Sequence, residues 1–275
     1  AAPAAPPGEA PPGAPEAAPS VMEQVPVQLA APEAALAPEP AALDWFRYGE
    51  LEPVGGGRHD PRAAEVLFGG RVPTTQTFRE MLSTEQVSTR LDLVGAEFDV
   101  RGRPNLGVLG QLYRGDTLVG DISRTFTREG NKKIAWHNSF SLDEAEQGKG
   151  IGEEVLRRSI SAYRRMGIDE VRVTAVDVGA YTWARFGFQW DAATGRYMRA
   201  SFKEWLGRRG YSPEQANLLA ENAQQAHTLA SLVHNGVKLG KQFLLDDVSW
   251  EGTLKLKDGD VGFEAARARL HLPPA

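Results

Sequence analysis

Between Arg90 and Leu142 apolar and polar residues alternate with a period near two, which predicts consecutive β-strands. Leu91–Val100 alternates through Leu91 and Leu93, then Ala96, Phe98 and Val100, with a shift at Gly95. Leu106–Tyr113 and Leu118–Phe126 flank Arg114-Gly-Asp116, a hairpin turn, and Arg128-Glu-Gly-Asn131 makes a second turn before Lys132–Leu142. The period then becomes helical over Ile151–Met166. Ile151, Val155, Ser159, Ala162, Tyr163 and Met166 share an inward face, while Glu153, Glu154, Arg157, Arg158, Arg164 and Arg165 form a face expected to be solvated. Gly167 ends this helix. A strand Val171–Val176 and a short helix within Ala180–Phe188 follow. Upstream, Pro61–Phe68 and Thr75–Leu82 read as short helices, the second capped by Thr74 or Thr75. Downstream the pattern predicts a strand around Arg196–Ala200, helices over Ser201–Arg209 and Ser212–His234, and an extended segment Asp246–Leu256.

Composition divides the chain once. Residues 1–40 hold 11 of the 18 prolines, many alanines, five glutamates and no Lys or Arg. Such a segment cannot bury enough apolar surface to offset its ordering entropy and is expected to be disordered or polyproline-like. It has no basic start and apolar run of the signal-peptide kind. Its five glutamates carry the whole net charge of −5, leaving 31 acidic against 31 basic residues in the remainder. A neutral folded part argues against a nucleic-acid surface. No apolar run approaches a membrane span. The absence of cysteine excludes disulfides, thiol catalysis and cysteine-ligated zinc. The chain starts at Ala1 rather than Met, which raises the expectation of processing or of a piece of a longer polypeptide.

Chemistry concentrates in the turn after Leu142. Gln147-Gly-Lys-Gly-Ile-Gly152 places three glycines in five positions at the start of a helix, so its backbone N–H groups stay uncovered and the positive end of the helix dipole lies beside them. That is a site for an anion, most naturally a pyrophosphate. The spacing fits neither the dinucleotide fingerprint nor the P-loop.

Gln147, Gly150 and Gly152 form Q-x-x-G-x-G, which resembles the coenzyme A pyrophosphate loop of the GNAT superfamily of N-acetyltransferases. The order that follows is similar too: a helix, a strand, then Ala180-Tyr-Thr-Trp-Ala-Arg-Phe-Gly-Phe188. The resemblance covers about Leu91–Phe188. It implies an α/β fold with a mixed, mostly antiparallel sheet flanked by helices. Residues 41–200 would form the acyl-CoA-binding domain and 201–275 a helical and extended C-terminal elaboration of it. It also implies that Pro61–Phe68 and Thr75–Leu82 sit between the first and second strands and line the acceptor site. The implied activity is transfer of an acetyl or other acyl group from coenzyme A, with acetyl-CoA as co-substrate, to an amine on a small molecule or protein.

By the same resemblance Gln147, Gly148, Lys149, Gly150, Ile151 and Gly152 hold the pyrophosphate, and the Leu142 N–H polarises the thioester carbonyl. Arg157 or Arg158 would reach the coenzyme 3′-phosphate. The family commonly carries an acidic Tyr four residues before the Gly of Gly-Phe. Trp183 stands there, and Tyr181 is about 200° away around a helix. The usual Asn at the start of that segment is replaced by Val176-Asp-Val-Gly179. Candidate acid and base groups are therefore Tyr181, His137, Asp143, Glu144 and Glu146, with His137 placed opposite Ile134, Trp136 and Phe140 and carrying a pKa suited to the task. His227 and His234 share one face of a predicted helix but have no carboxylate at ligand spacing, so no metal is expected. The variant Gly-Phe segment is also similar to GNAT-like domains embedded in phage-encoded or toxin polypeptides. On that reading the chain is a non-catalytic module of a phage particle or a larger processed polypeptide; otherwise a cytoplasmic enzyme is expected. The tail or the C-terminal helices could serve a protein partner.

Overall fold

The computed structural model describes residues 43–56, 58–246 and 248–273, so the predicted tail over residues 1–40 lies outside it. Two short helices come first, α1 (Pro61–Phe68) and α2 (Thr75–Leu82). Each starts where a side chain accepts a first-turn N–H: Asp60 from Arg62, and Thr74 from Thr77. Strands β1 (Ser88–Phe98), β2 (Pro104–Arg114), β3 (Thr117–Glu129) and β4 (Lys132–Leu142) follow, then α3 (Ile151–Met166), β5 (Glu170–Ala175) and α4 (Val178–Arg185). The rest comprises α5 (Ala192–Arg208), α6 (Pro213–Glu221), α7 (Ala226–Ala230), α8 (Leu239–Leu244), β6 (Trp250–Lys255) and α9 (Val261–Arg269). The six strands form one sheet in sequence order. Only β4 and β5 pair in parallel. The parallel step is the one that needs a crossover helix, and α3 supplies it.

Register fixes the faces. Ile122 and Phe126 of β3 lie opposite Phe140 and Ala135 of β4, and this face meets the helices. The other face, across β2 to β4, carries Gln111, Asp121, Ser123, Thr125 and Ser139 and is mostly polar, with Leu109 and Trp136 among them. Phe126, fully buried, joins three helices to the sheet, with Phe68 at 6.2 Å, Phe78 at 5.4 Å and Tyr163 at 5.6 Å between ring centroids. Burying one such ring contributes about 1.5–3 kcal/mol.

The structure departs from the sequence reading at several places. The two short helices precede β1 rather than dividing the first two strands, and ahead of them the chain makes single antiparallel bridges, Tyr48 with Pro73 and Val54 with Val94. The irregularity in β1 falls between Leu91 and Leu93, not at Gly95. Arg196–Ala200 is helical, inside α5, because Asp191 caps the helix and Met198, Phe202, Trp205 and Leu206 bury one side at helical spacing. The predicted helix Ser212–His234 breaks after Glu221, and His227 then bonds Gln189 while His234 lies beside Tyr211. The two histidines therefore share no face.

The arginines of α3 form a solvated face only in part: Arg165 is exposed, while Arg157, Arg158 and Arg164 are half-buried. Arg158 lies over Trp45, Arg165 over Phe46 and Arg164 over Phe263. Segments from both ends of the described chain thus strap the helix through arginine–aromatic contacts, in which the stem packs and the cation faces a ring. No helix among the described residues is long and apolar enough to cross a membrane.

Candidate functional site

After Leu142 the chain makes a 3-10 turn at Glu144–Glu146 and enters α3 through the glycines. Gly148 and Gly150 have φ of 76° and 82°, a region where a side chain is strained, and a Cβ at either would meet no atom within 4 Å. Gly152 has another cause: a Cβ there would stand 3.2 Å from the Phe140 ring, so its absence lets α3 settle onto β4. No side chain caps α3, which leaves its first N–H groups facing the open loop. The Gln147 amide donates to the Leu142 carbonyl at 3.0 Å and braces the turn. Glu146 is shared by Arg114 at 2.6 Å and Lys149 at 3.2 Å, which draws the Lys149 ammonium to the loop's acidic side. Asp143 and Glu144 are exposed. Arg157 is held by Glu154 at 2.6 Å, and Arg158 donates to the Glu80 carbonyl at 3.1 Å, so neither points freely toward the loop.

Strands β4 and β5 pair only from Ile134–His137 against Glu170–Val173. Beyond that point β4 stays with β3, β5 stays with β6, and a wedge opens between them. His137 is at its vertex and the glycine loop at its mouth. The β3–β4 ladder jumps from the pair Arg124–His137 to Ser123–Ser139, so Asn138 is an extra, bulged residue. The bulge moves Phe140 to the same face as His137, where strict alternation puts it on the other. The Asp143 N–H donates to Val119 O at 2.9 Å, which makes Leu142–Gly120 a non-hydrogen-bonded pair of the ladder. In such a pair the N–H turns away from the partner strand, so that of Leu142 is directed toward the wedge.

His137 is buried among polar groups the sequence reading missed. Its Nε2 lies 3.0 Å from the Tyr163 hydroxyl on α3. Directly opposite it on β3 is Arg124, only 2% exposed, whose guanidinium donates through Nη1 to the carbonyls of Ser123 (2.8 Å) and Ser139 (2.7 Å), the ladder pair next to the bulge. Arg124 has no carboxylate partner among the described residues, and Arg124 Nε and His137 Nδ1 are buried with none of any kind. Burial, then the charge of Arg124, pushes the His137 pKa well below its ordinary value, so the imidazole is neutral near pH 7. Burial pushes Tyr163 up, against the neighbouring cation. Arg124 has a signature in the sequence: it is a charge at an inward parity position, between Ile122 and Phe126.

Helix α4 closes the vertex. The Trp183 indole lies edge-on to the imidazole at 5.5 Å and against Phe188 at 5.1 Å. Tyr181 points elsewhere, with the Lys241 ammonium of α8 5.5 Å over its ring and the Arg185 guanidinium 5.8 Å away. The structure thus brings together His137, Leu142 and the glycine loop along β4, and leaves Tyr181 apart from them. A cleft of about 690 Å³ lies away from the wedge, between the outer face of β5–β6 and α5, with Trp190, Arg196, Arg199 and Lys255 in its walls.

No family model matches this chain, and no curated protein matches it. Among solved structures, Arabidopsis thaliana Naa50 in complex with the bisubstrate analogue CoA-Ac-MVNAL is similar over 24% of this chain and 45% of its own, at 18% identity and a TM-score of 0.22. The NatC complex bound to Gag peptide and CoA is similar over 25% of this chain and 46% of that one, at 14% identity and a TM-score of 0.23. An aminoglycoside acetyltransferase from an uncultured soil metagenomic sample, in complex with trehalose, is similar over 44% of this chain and 70% of its own, at 17% identity and a TM-score of 0.25. The chain spans less than half the length of the first two.

Proposed function

We propose that the chain is an acyl-CoA-dependent N-acyltransferase, moving an acetyl or other acyl group from coenzyme A to an amine. The observation that carries this reading is the uncapped, unobstructed glycine loop at the mouth of the β4–β5 wedge. A pyrophosphate would take the N–H groups of Gly148 to Gly152, with Lys149 as a nearby cation and Gln147 as the brace. The coenzyme arm would then run along β4, and the Leu142 N–H would meet the developing oxyanion. Bound coenzyme would supply the activated thioester; the chain's own groups would hold it and polarise the carbonyl. Tyr181 enters as an acid only if α4 turns. Without it the thiolate leaves unassisted, which a thiol permits near pH 8. The acceptor would be a small-molecule or protein amine.

A second reading is a non-catalytic module of the same fold, and one observation favours it: Trp183 packs over His137 where an acid would be useful. Incubation with acetyl-CoA and a panel of primary amines and peptides, read as release of free coenzyme thiol, separates the two. Thiol release that depends on an amine supports the transferase. Saturable binding with no release from any amine supports the module.

A further inference from the structure

The buried trio at the wedge vertex has a polarity set by the cation beside its hydroxyl. The Arg124 guanidinium sits beside the Tyr163 hydroxyl, and its positive charge turns the O–H dipole so that oxygen faces the cation and hydrogen faces away. Among the described residues the acceptor in hydrogen-bond geometry with that hydroxyl is His137 Nε2, at 3.0 Å, whereas the buried Ser159 Oγ nearby makes no such bond. An Nε2 that accepts leaves the single ring proton of a neutral imidazole on Nδ1. His137 Nδ1 is buried with no partner among the described residues. A buried donor left unpaired costs about 1–3 kcal/mol, and one held at a functional vertex is a donor waiting for an acceptor.

We propose that His137 is a neutral electrophile: its Nδ1–H donates a hydrogen bond to the thioester carbonyl of a bound acyl-CoA, and Arg124 and Tyr163 are positioning residues that fix this tautomer. The inference rests on the coenzyme reading above and assigns to this chain a second oxyanion donor beside the Leu142 N–H. No proton leaves the ring. The carbonyl gains negative character as the amine attacks, and the donor stabilises it, a use of neutral imidazole that a depressed pKa favours. The Arg124 bonds to Ser123 and Ser139 clamp the bulge that lets β4 leave β5, so one side chain both shapes the vertex and polarises its tyrosine. Trp183, edge-on to the imidazole, belongs to the packing around His137 that must open for a carbonyl to reach the buried Nδ1.

Imidazole-labelled protein examined by long-range ¹⁵N–¹H correlation tests this without an acceptor. The free wild type is expected to show His137 as the Nδ1–H tautomer, and Tyr163→Phe, which keeps the ring in the core, should lose that bias. Saturating acetyl-CoA should shift the Nδ1 resonance of the wild type, and coenzyme A, lacking the carbonyl, should shift it less. The carbonyl stretch of ¹³C-labelled acetyl-CoA should move to lower frequency on binding the wild type and recover part of that shift in Tyr163→Phe. An Nε2–H tautomer in the wild type overturns the proposal. Acetyl-CoA that binds, by calorimetry, without moving Nδ1 overturns it and leaves the coenzyme reading intact. Acetyl-CoA that does not bind overturns both.

Discussion

The glycine loop and the buried trio lie at opposite ends of the same wedge, and they hold unpaired polar groups by opposite means. At the loop, residues 147–152 leave backbone N–H groups bare by placing glycine at every second position and no side-chain cap on α3. At the vertex, Arg124, His137 and Tyr163 are sealed in by Phe126, Phe188 and Trp183, and their unpaired donors are kept by packing. The loop should therefore be cheap to alter for stability and costly for ligand binding, and the vertex the reverse.

The largest expected effect is at the vertex. Phe126→Ala removes the ring that joins α1, α2 and α3 to β3 and should cost about 3–5 kcal/mol in denaturant unfolding. A loss below about 1 kcal/mol would show that the trio is not held by this packing. Acidification comes next. His137 is held neutral in the folded protein and takes up a proton on unfolding, so the unfolded state binds more protons below the unfolded pKa of about 6.5. Its contribution is complete above that pH and is lost as pH falls, by at most about 1.4 kcal/mol per pH unit for one proton. Burial depresses His227 as well, in the same direction, so the quantity to measure is the pH slope of wild type minus that of His137→Gln. Equal slopes would mean that His137 already binds a proton in the fold.

Tyr163→Phe should cost about 1–3 kcal/mol, the range for leaving a buried polar partner unpaired, with little change in affinity for coenzyme. Gly148→Ala is the mild counterpart at the loop. It forces a side chain to φ of 76° in open space and should cost about 1–2 kcal/mol, the penalty of the left-handed region and no clash. The comparison breaks if the loop variant proves as destabilising as Phe126→Ala.

Much of the frame was legible because local signals agreed with tertiary ones. Pro61–Phe68, Thr75–Leu82, Lys132–Leu142 and Ile151–Met166 were readable at their ends, where Thr74, Gly167 and the Gly130–Asn131 turn stop the pattern. The Gly-Phe motif was read as a resemblance, and the structure gives its physical cause: a Cβ on Gly187 would lie 2.1 Å from the Gly262 carbonyl of α9. Other features have no one-dimensional trace. A bulge is a single residue, and Asn138-Ser139 reads as an ordinary polar pair, so the face of Phe140 could not be assigned. Arg196–Ala200 is too short to show a period of its own, and the burial of Met198 and Phe202 at helical spacing decides for helix. The arginines of α3 look solvated until Trp45, Phe46 and Phe263, each more than 90 residues away in sequence, fold onto them. The Arg124–His137 pair was hidden for the same reason, since it needs the β3–β4 register.

The central claim is that the bare loop at the wedge mouth is a coenzyme site, and titration calorimetry with acetyl-CoA tests it most directly. Wild type should bind saturably, and Gly150→Asp, which puts a carboxylate into the open space at the α3 N-terminus, should bind at least about 100-fold more weakly, a loss of about 2.7 kcal/mol. Its cooperative unfolding, checked in parallel, should survive. No heat from the wild type at millimolar acetyl-CoA, or equal affinity in a folded Gly150→Asp protein, would contradict the account.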